Sequence, residues 1–327
     1  MMTEAAPLLQ ATGLSKHFPV AGRSRTLKAV QDVSLDLRRG ETLGLIGESG
    51  CGKSTLGRVI GQLLPATAGS IRFDGRDLAA AGAAERRDSR RQIQIIFQDP
   101  YGSLNPRMTV RDIVAEPLRN FGIARGAQAD RMVRDVLDVC GLGPSAMARY
   151  PREFSGGQRQ RIGIARALVL RPRLIVADEP VSALDVSIQA QIVNLLRDLQ
   201  REFGMAYLFI GHDMAVVRHI SHRVAVMYLG RMVEVADARA IYDDPQHPYT
   251  RVLLSSVPIP DPDLESRRRP IALAGEVPSP LAPPAGCAFH TRCPWAQARC
   301  GTEVPALRDV GNGRRVACHF AGQLAPL

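Results

Sequence analysis

Residues 47–54, Gly-Glu-Ser-Gly-Cys-Gly-Lys-Ser, constrain the fold more than any other part of this chain. They satisfy G-x-x-x-x-G-K-[ST] at every fixed position, follow the apolar run Leu43-Gly44-Leu45-Ile46, and precede a helical pattern from Thr55 onward. A strand, a glycine-rich turn and a helix in that order form the setting in which backbone N–H groups gather around a phosphate. The glycines let the backbone curl, Lys53 can reach the β- and γ-phosphates, and the Ser54 hydroxyl is placed to ligate Mg²⁺. Only three lysines occur, at 16, 28 and 53, so the chain uses arginine for its other cations. Gly47, Glu48, Ser49, Gly50, Cys51, Gly52, Lys53, Ser54 and Thr55 are therefore candidate nucleotide-binding residues.

Leu174-Ile175-Val176-Ala177-Asp178-Glu179-Pro180 is a buried-strand run that ends in two acids. Such a strand delivers its acids to the carboxyl edge of a parallel sheet, where ligands collect. Asp178 is suited to the Mg²⁺ shell and Glu179 to orienting or deprotonating an attacking water. Upstream, Phe154-Ser155-Gly156-Gly157-Gln158-Arg159 sets a hydroxyl and two glycines before a basic amphipathic segment, so its N–H groups can approach a phosphate. Gln98 follows the apolar run Ile93-Gln94-Ile95-Ile96-Phe97, where it could sense Mg²⁺ or water. His212 follows Leu208-Phe209-Ile210-Gly211, where an imidazole could donate to a γ-phosphate oxygen as charge develops. Ser182-Ala183-Leu184-Asp185 comes directly after the acids.

In this order the motifs resemble the nucleotide-binding subunit of an ATP-binding cassette transporter, over roughly residues 8–250. The resemblance implies a P-loop α/β cassette: a RecA-like core, an N-terminal antiparallel β part, an inserted helical subdomain, and here a Pro/Cys-rich C-terminal extension. It makes Glu179 the catalytic glutamate, His212 the switch histidine and Gln98 the glutamine loop. Asp178, with Ser54 and Gln98, becomes the Mg²⁺ site, residues 154–158 the signature, and Asp185 the end of the D-loop. It also suggests Phe18 as the aromatic that stacks on adenine; a strand residue buried in the core is the other reading. Gln98-Asp99-Pro100-Tyr101-Gly102-Ser103-Leu104-Asn105-Pro106, Tyr150-Pro151 and Pro180-Val181-Ser182-Ala183-Leu184-Asp185-Val186-Ser187 narrow it to ATPases of dipeptide and oligopeptide importers. Importers of nickel and other solutes share much of this pattern.

At 327 residues and 45% hydrophobic, the chain can hold one large α/β core with a smaller appended region. It contains no stretch of roughly 18 apolar residues, and its N-terminus, Met1-Met2-Thr3-Glu4, lacks a basic-then-apolar leader. A soluble subunit at the cytoplasmic face of the membrane is the expectation, with membrane function supplied by partners. The net charge of +10, with Arg86-Arg87, Arg90-Arg91 and Arg267-Arg268-Arg269, raises a nucleic-acid alternative. Aromatic content of 5% offers no stacking platform, so a solvated basic face, or attraction to anionic lipid, is favoured. A cassette ATPase acting on DNA repair or translation is the rival class, but no second cassette, coil or zinc-finger insert is seen.

Composition shifts divide the chain into a cassette at 1–250, with β-rich 8–37, a turn near Ala21-Gly22-Arg23-Ser24 and a helical part at about 103–170, and an extension at 251–327. Beyond residue 245 prolines break any long helix. Cys287, Cys293, Cys300 and Cys318, spaced C-x5-C-x6-C-x17-C, lie there. In a reducing compartment such clustering points to metal rather than disulfides. The resemblance points to a [4Fe–4S] cluster; Zn²⁺, with His290 and His319 nearby, and unligated thiols are the alternatives. Mg-ATP binding is expected to survive Cys293→Ser, because the phosphate loop and both acids lie in the other domain. The implied partners are a homologous ATPase in a heterodimer, two transmembrane permeases and an extracytoplasmic solute-binding protein, with no nucleic acid.

Overall fold

The computed structural model describes residues 6–20, 26–257, 271, 273 and 275–324. The Ala21–Ser24 turn and Arg267–Arg269 lie outside them. Two sheets carry the fold. β1 (Leu9–Pro19), β2 (Thr26–Leu37), β4 (Ala68–Phe73) and β5 (Arg76–Asp77) form an antiparallel sheet in the order β2-β1-β4-β5, while β3 (Thr42–Ile46) belongs to the second sheet. There it lies parallel to β6 (Ile93–Ile96), β7 (Leu174–Asp178), β8 (Ala206–Ile210) and β9 (Arg223–Tyr228), in the order β9-β3-β8-β7-β6.

Alternation along the parallel strands explains why they read as unbroken apolar runs. Leu43 and Leu45, Leu174 and Val176, and Leu208 and Ile210 face a core shared with the antiparallel sheet. Ile46, Ile175 and Ala177, and Tyr207 and Phe209 face a second core packed by helices. Both faces are covered, so no polar position is needed until the strand ends, and that is where the acids stand.

Helix α1 (Lys53–Ile60) starts directly from the glycine-rich turn. Helix α2 (Ala83–Gln92) carries Arg86, Arg87, Arg90 and Arg91 with Ser89 as its only buried residue, the solvated face expected. Between β6 and β7 come α3 (Val110–Phe121), α4 (Gly126–Val139) and α5 (Gly156–Leu168). They share a core through Ile113, Val114, Leu118, Val133, Leu137 and Ile162. Helices α6 (Val186–Phe203) and α7 (Met214–Ile220) complete the alternation with β8 and β9.

The sequence between α1 and α2 hid a crossover. Ile71-Arg72-Phe73 alternates and is followed by Asp74-Gly75, both at positive φ, which makes a tight hairpin into β5. This places β4 in the other sheet, beside β1.

After β10 (Arg231–Asp237), antiparallel to β9, the chain forms α8 (Ala238–Asp243) and α9 (Pro248–Ser255). Arg315–Val316 then pairs with Glu234 and Val235 of β10, so the last segment extends the parallel-containing sheet at its edge. Among the described residues no helix is long and apolar enough to cross a membrane.

Candidate active site

The turn from β3 into α1 is possible only with glycine at two points. Gly47 lies at φ 152° and Gly52 at φ 107°; a Cβ on the first would stand 2.1 Å from the Met227 carbonyl oxygen, and on the second 2.1 Å from that of Ala29. The loop is thus pressed against β9 and β2. Gly230 N–H donates to the Cys51 carbonyl at 2.8 Å, tying the loop to the β9–β10 turn. Lys53, only 4% exposed, donates from Nζ to the carbonyls of Gly47 at 2.7 Å and Glu48 at 3.0 Å. Its third contact is the Cys51 sulfur at 3.9 Å, so the described partners of this buried ammonium are neutral and it suits an anionic ligand.

A cavity of about 500 Å³ opens beside this loop. Ser49, Gly50, Cys51, Gly52, Lys53, Ser54 and Thr55 line it with Phe18, Gln98, Glu179 and His212. Phe18 is half-buried on β1, under the Lys16 ammonium at 5.0 Å, and is not a core residue. Leu27, Lys28, Ala29, Leu229, Gly230 and Pro280 close the cavity; none of these six stands out in the sequence.

The strand-end acids differ in setting. Asp178, 4% exposed, accepts from the Ser54 hydroxyl at 2.7 Å, and its burial raises the carboxyl above its usual range. A hydroxyl and a buried carboxylate converging beside the ammonium suit Mg²⁺, whose charge would offset that burial. Glu179 adopts a left-handed φ of 47°, unusual for a side-chain-bearing residue and costing roughly 1–3 kcal/mol. Its N–H donates to Ile210 at 3.0 Å, and the strained backbone turns its carboxylate toward the cavity. Glu179 Oε2 accepts from Gln98 Nε2 at 2.8 Å and lies 3.3 Å from His212 Nδ1. Three strand ends, β6, β7 and β8, deliver these three groups to one point.

Residues 154–158 and Asp185 do not line this cavity. Ser155 caps α5: its hydroxyl accepts from Gln158 N–H at 3.4 Å while its own N–H donates to Gln158 Oε1 at 3.1 Å. A Cβ on Gly157 would stand 2.5 Å from Ile188, and one on Gly156 3.4 Å from Leu184, so the capped turn packs on the segment containing Asp185. Ser155, Gln158 and Asp185 are exposed, whereas Phe154 and Gly157 are buried beneath them.

The expected metal centre at the cysteines is not supported. Cys287, Cys293, Cys300 and Cys318 are free thiols near enough to influence one another electrostatically. Yet among the described residues no group of three or more His, Cys, Asp or Glu is placed to hold a metal ion. Burial pushes the Cys287 thiol up to about 11 and that of Cys293 to about 12 in the metal-free chain. His290 Nδ1 lies 2.8 Å from the Cys287 carbonyl oxygen and His319 Nε2 3.0 Å from that of Glu303. The described residues therefore add no support for either the cluster or zinc.

The segment carrying these cysteines touches the phosphate loop. Arg292 Nη1 bonds Glu48 at 3.1 and 3.0 Å, and Pro280 lines the cavity. No spacing in the sequence signals either contact, and the two regions, read from the sequence as separate domains, touch.

Comparison with known proteins gives a consistent result. Residues 30–182 match the family described as ABC transporter, and residues 233–300 that described as oligopeptide/dipeptide transporter, C-terminal region. YkfD of Bacillus subtilis is 55% identical over 315 residues, 96% of this chain and 95% of that protein. The oligopeptide transport ATP-binding protein AppF of Bacillus subtilis is 51% identical over 319 residues, 96% of this chain and 97% of its own. The ATP-binding cassette MJ0796, solved as a dimer in a post-hydrolysis state with ADP and Pi, superposes with a TM-score of 0.63 at 29% identity, over 71% of this chain and 99% of that one.

Proposed function

The chain belongs to the ATP-binding cassette transporter family, among its oligopeptide transport ATP-binding proteins, and on that premise we propose that it hydrolyses ATP to power peptide import. The observation that carries the reading is the convergence of Gln98, Glu179 and His212 on a cavity floored by a phosphate loop.

In this reading the loop N–H groups and Lys53 bind the polyphosphate, exchanging the carbonyl contacts of Lys53 for phosphate oxygens. Phe18 offers a face for adenine. Ser54, Asp178 and Gln98 would hold Mg²⁺, which when bound neutralises charge developing on the β- and γ-phosphates. Glu179 accepts a proton from, or orients, the attacking water. Gln98 and His212 hold its carboxylate, and His212 is near enough to donate to the γ-phosphate.

The cap at Ser155, Gly156, Gly157 and Gln158, which lies outside the chain's own cavity, completes with Asp185 the site of a second cassette. The bound nucleotides then hold two subunits together, and hydrolysis releases them. Residues 1–250 form the cassette, with 103–170 its helical subdomain, and 251–327 the extension. The subunit works at the cytoplasmic face of the inner membrane, beside a homologous ATPase, two permeases and a solute-binding protein. The iron–sulfur cluster rests on resemblance and on four neighbouring thiols alone, and no step of hydrolysis uses it.

Because the cap acts across the interface, hydrolysis by purified protein should rise with its concentration and with addition of the partner cassette. Ser155→Arg should impair the partner's phosphate-loop site more than its own. Full, concentration-independent activity from a demonstrated monomer would exclude this arrangement.

A further inference from the structure

Arg292 stands 244 residues from Glu48 along the chain, yet its Nη1 donates to both carboxylate oxygens, at 3.1 and 3.0 Å. The guanidinium side chain is 8% exposed and that of Glu48 24%. The remaining groups of Glu48 are also engaged: its N–H donates to the Tyr249 hydroxyl at 2.7 Å, and its carbonyl accepts from Lys53 Nζ at 3.0 Å. Arg292 itself has a rigid base. Phe289, three residues before it and 1% exposed, packs between Tyr228 and Tyr249 with ring centroids 5.3 and 5.4 Å away. Tyr249 is bonded to the glycine-rich loop through its hydroxyl, and Tyr228 ends β9, the strand on which that loop packs.

An acid in a loop built to take a polyanion works against its purpose unless it is neutralised and held still. We propose that Arg292 is a positioning residue for the nucleotide: it pins and neutralises Glu48, so that the C-terminal segment sets the affinity of the phosphate loop. This rests on the reading of residues 47–54 as that loop. Removing the guanidinium leaves a partly buried carboxylate unpaired, which both repels phosphate and frees the loop to shift. Pro280, lining the same cavity, brings the segment to the nucleotide a second time.

The test is a double-mutant cycle on the full chain, with affinity for a Mg²⁺-bound, non-hydrolysable ATP analogue measured by calorimetry. Arg292→Gln should raise Kd about fivefold, and Arg292→Lys, which restores the charge, by about twofold or less. In a Glu48→Gln background, Arg292→Gln should add less than about a twofold change, since no carboxylate is left to free. If circular dichroism shows Arg292→Gln unfolded, Arg292→Met, which keeps the buried stem, takes its place in the cycle. A wild-type Kd for the single variant, or an equal loss in both backgrounds, would overturn the proposal and leave Arg292 a packing role. Lys53→Ala separates this from the underlying reading: if that variant binds the analogue normally, residues 47–54 are not the phosphate loop, whatever Arg292 does.

Discussion

Glu179→Gln changes one atom in the group proposed to act on the attacking water. The amide is nearly isosteric with the carboxylate, can occupy the same left-handed backbone position, and leaves Lys53, Ser54 and Asp178 untouched. It removes the negative charge that Gln98 Nε2 meets at 2.8 Å and His212 Nδ1 at 3.3 Å, and with it the group able to take a proton from water. General-base contributions are about 10²–10⁴-fold, so we expect kcat to fall about 10³-fold, or ~4 kcal/mol of barrier. Folding stability should change by less than about 1 kcal/mol, because no cavity or unpaired buried group is created. Affinity for Mg-ATP should persist, and the variant should accumulate as an ATP-bound dimer. Steady-state phosphate release, equilibrium ATP binding and sedimentation measure the three outcomes. A variant that keeps more than about a tenth of wild-type kcat would refute the role given to Glu179.

Two further perturbations probe the C-terminal side. His247 is fully buried, its Nδ1 accepting from Tyr249 N–H at 3.0 Å, and burial depresses it to about 3. Its contribution to stability is therefore present above about pH 6.5 and lost as pH falls toward about 3, amounting to about 2 kcal/mol between pH 7 and pH 5. Buried Glu234, whose carboxylate accepts the backbone N–H of His247, is raised by burial and acts in the opposite sense, so the measurement is the difference in denaturation between wild type and His247→Gln. That variant should show a shallower loss on acidification; parallel curves would remove His247 as the cause. Anaerobically purified protein, analysed for iron, zinc, acid-labile sulfide and free thiols, decides the cysteines. Iron and sulfide near four each per chain establish a cubane. About one zinc establishes the alternative, and four alkylatable thiols without metal agree with the free thiols of the structure.

Part of the site was legible because several of its residues sit at the ends of largely apolar runs. Asp178, Gln98 and His212 could be placed at strand ends from residues 174–177, 93–97 and 208–211 alone. Their convergence on Glu179 follows from β6, β7 and β8 being neighbours in one parallel sheet, which local periodicity does not encode. Asp74-Gly75 signals the β4–β5 hairpin locally, but nothing in that segment encodes the pairing of β4 with β1 in the other sheet. Arg292 was out of reach for a different reason: an ion pair spanning 244 residues has no sequence pattern, and the surrounding prolines and cysteines suggested a separate unit. The cysteines are a different case: spacing reports neighbours along the chain, whereas ligation requires sulfurs that share one point, and among the described residues no such group is placed to hold a metal.

The central claim, that this chain converts ATP hydrolysis into peptide movement, is tested most directly by uptake of a labelled oligopeptide into proteoliposomes. These should hold the subunit with its permeases and partner ATPase, with the solute-binding protein on the inlet side. Uptake should require Mg-ATP at the face bearing this subunit and should cease when Glu179→Gln replaces it. Peptide accumulation that continues with that variant and without ATP, or steady hydrolysis that never moves peptide, would contradict the account.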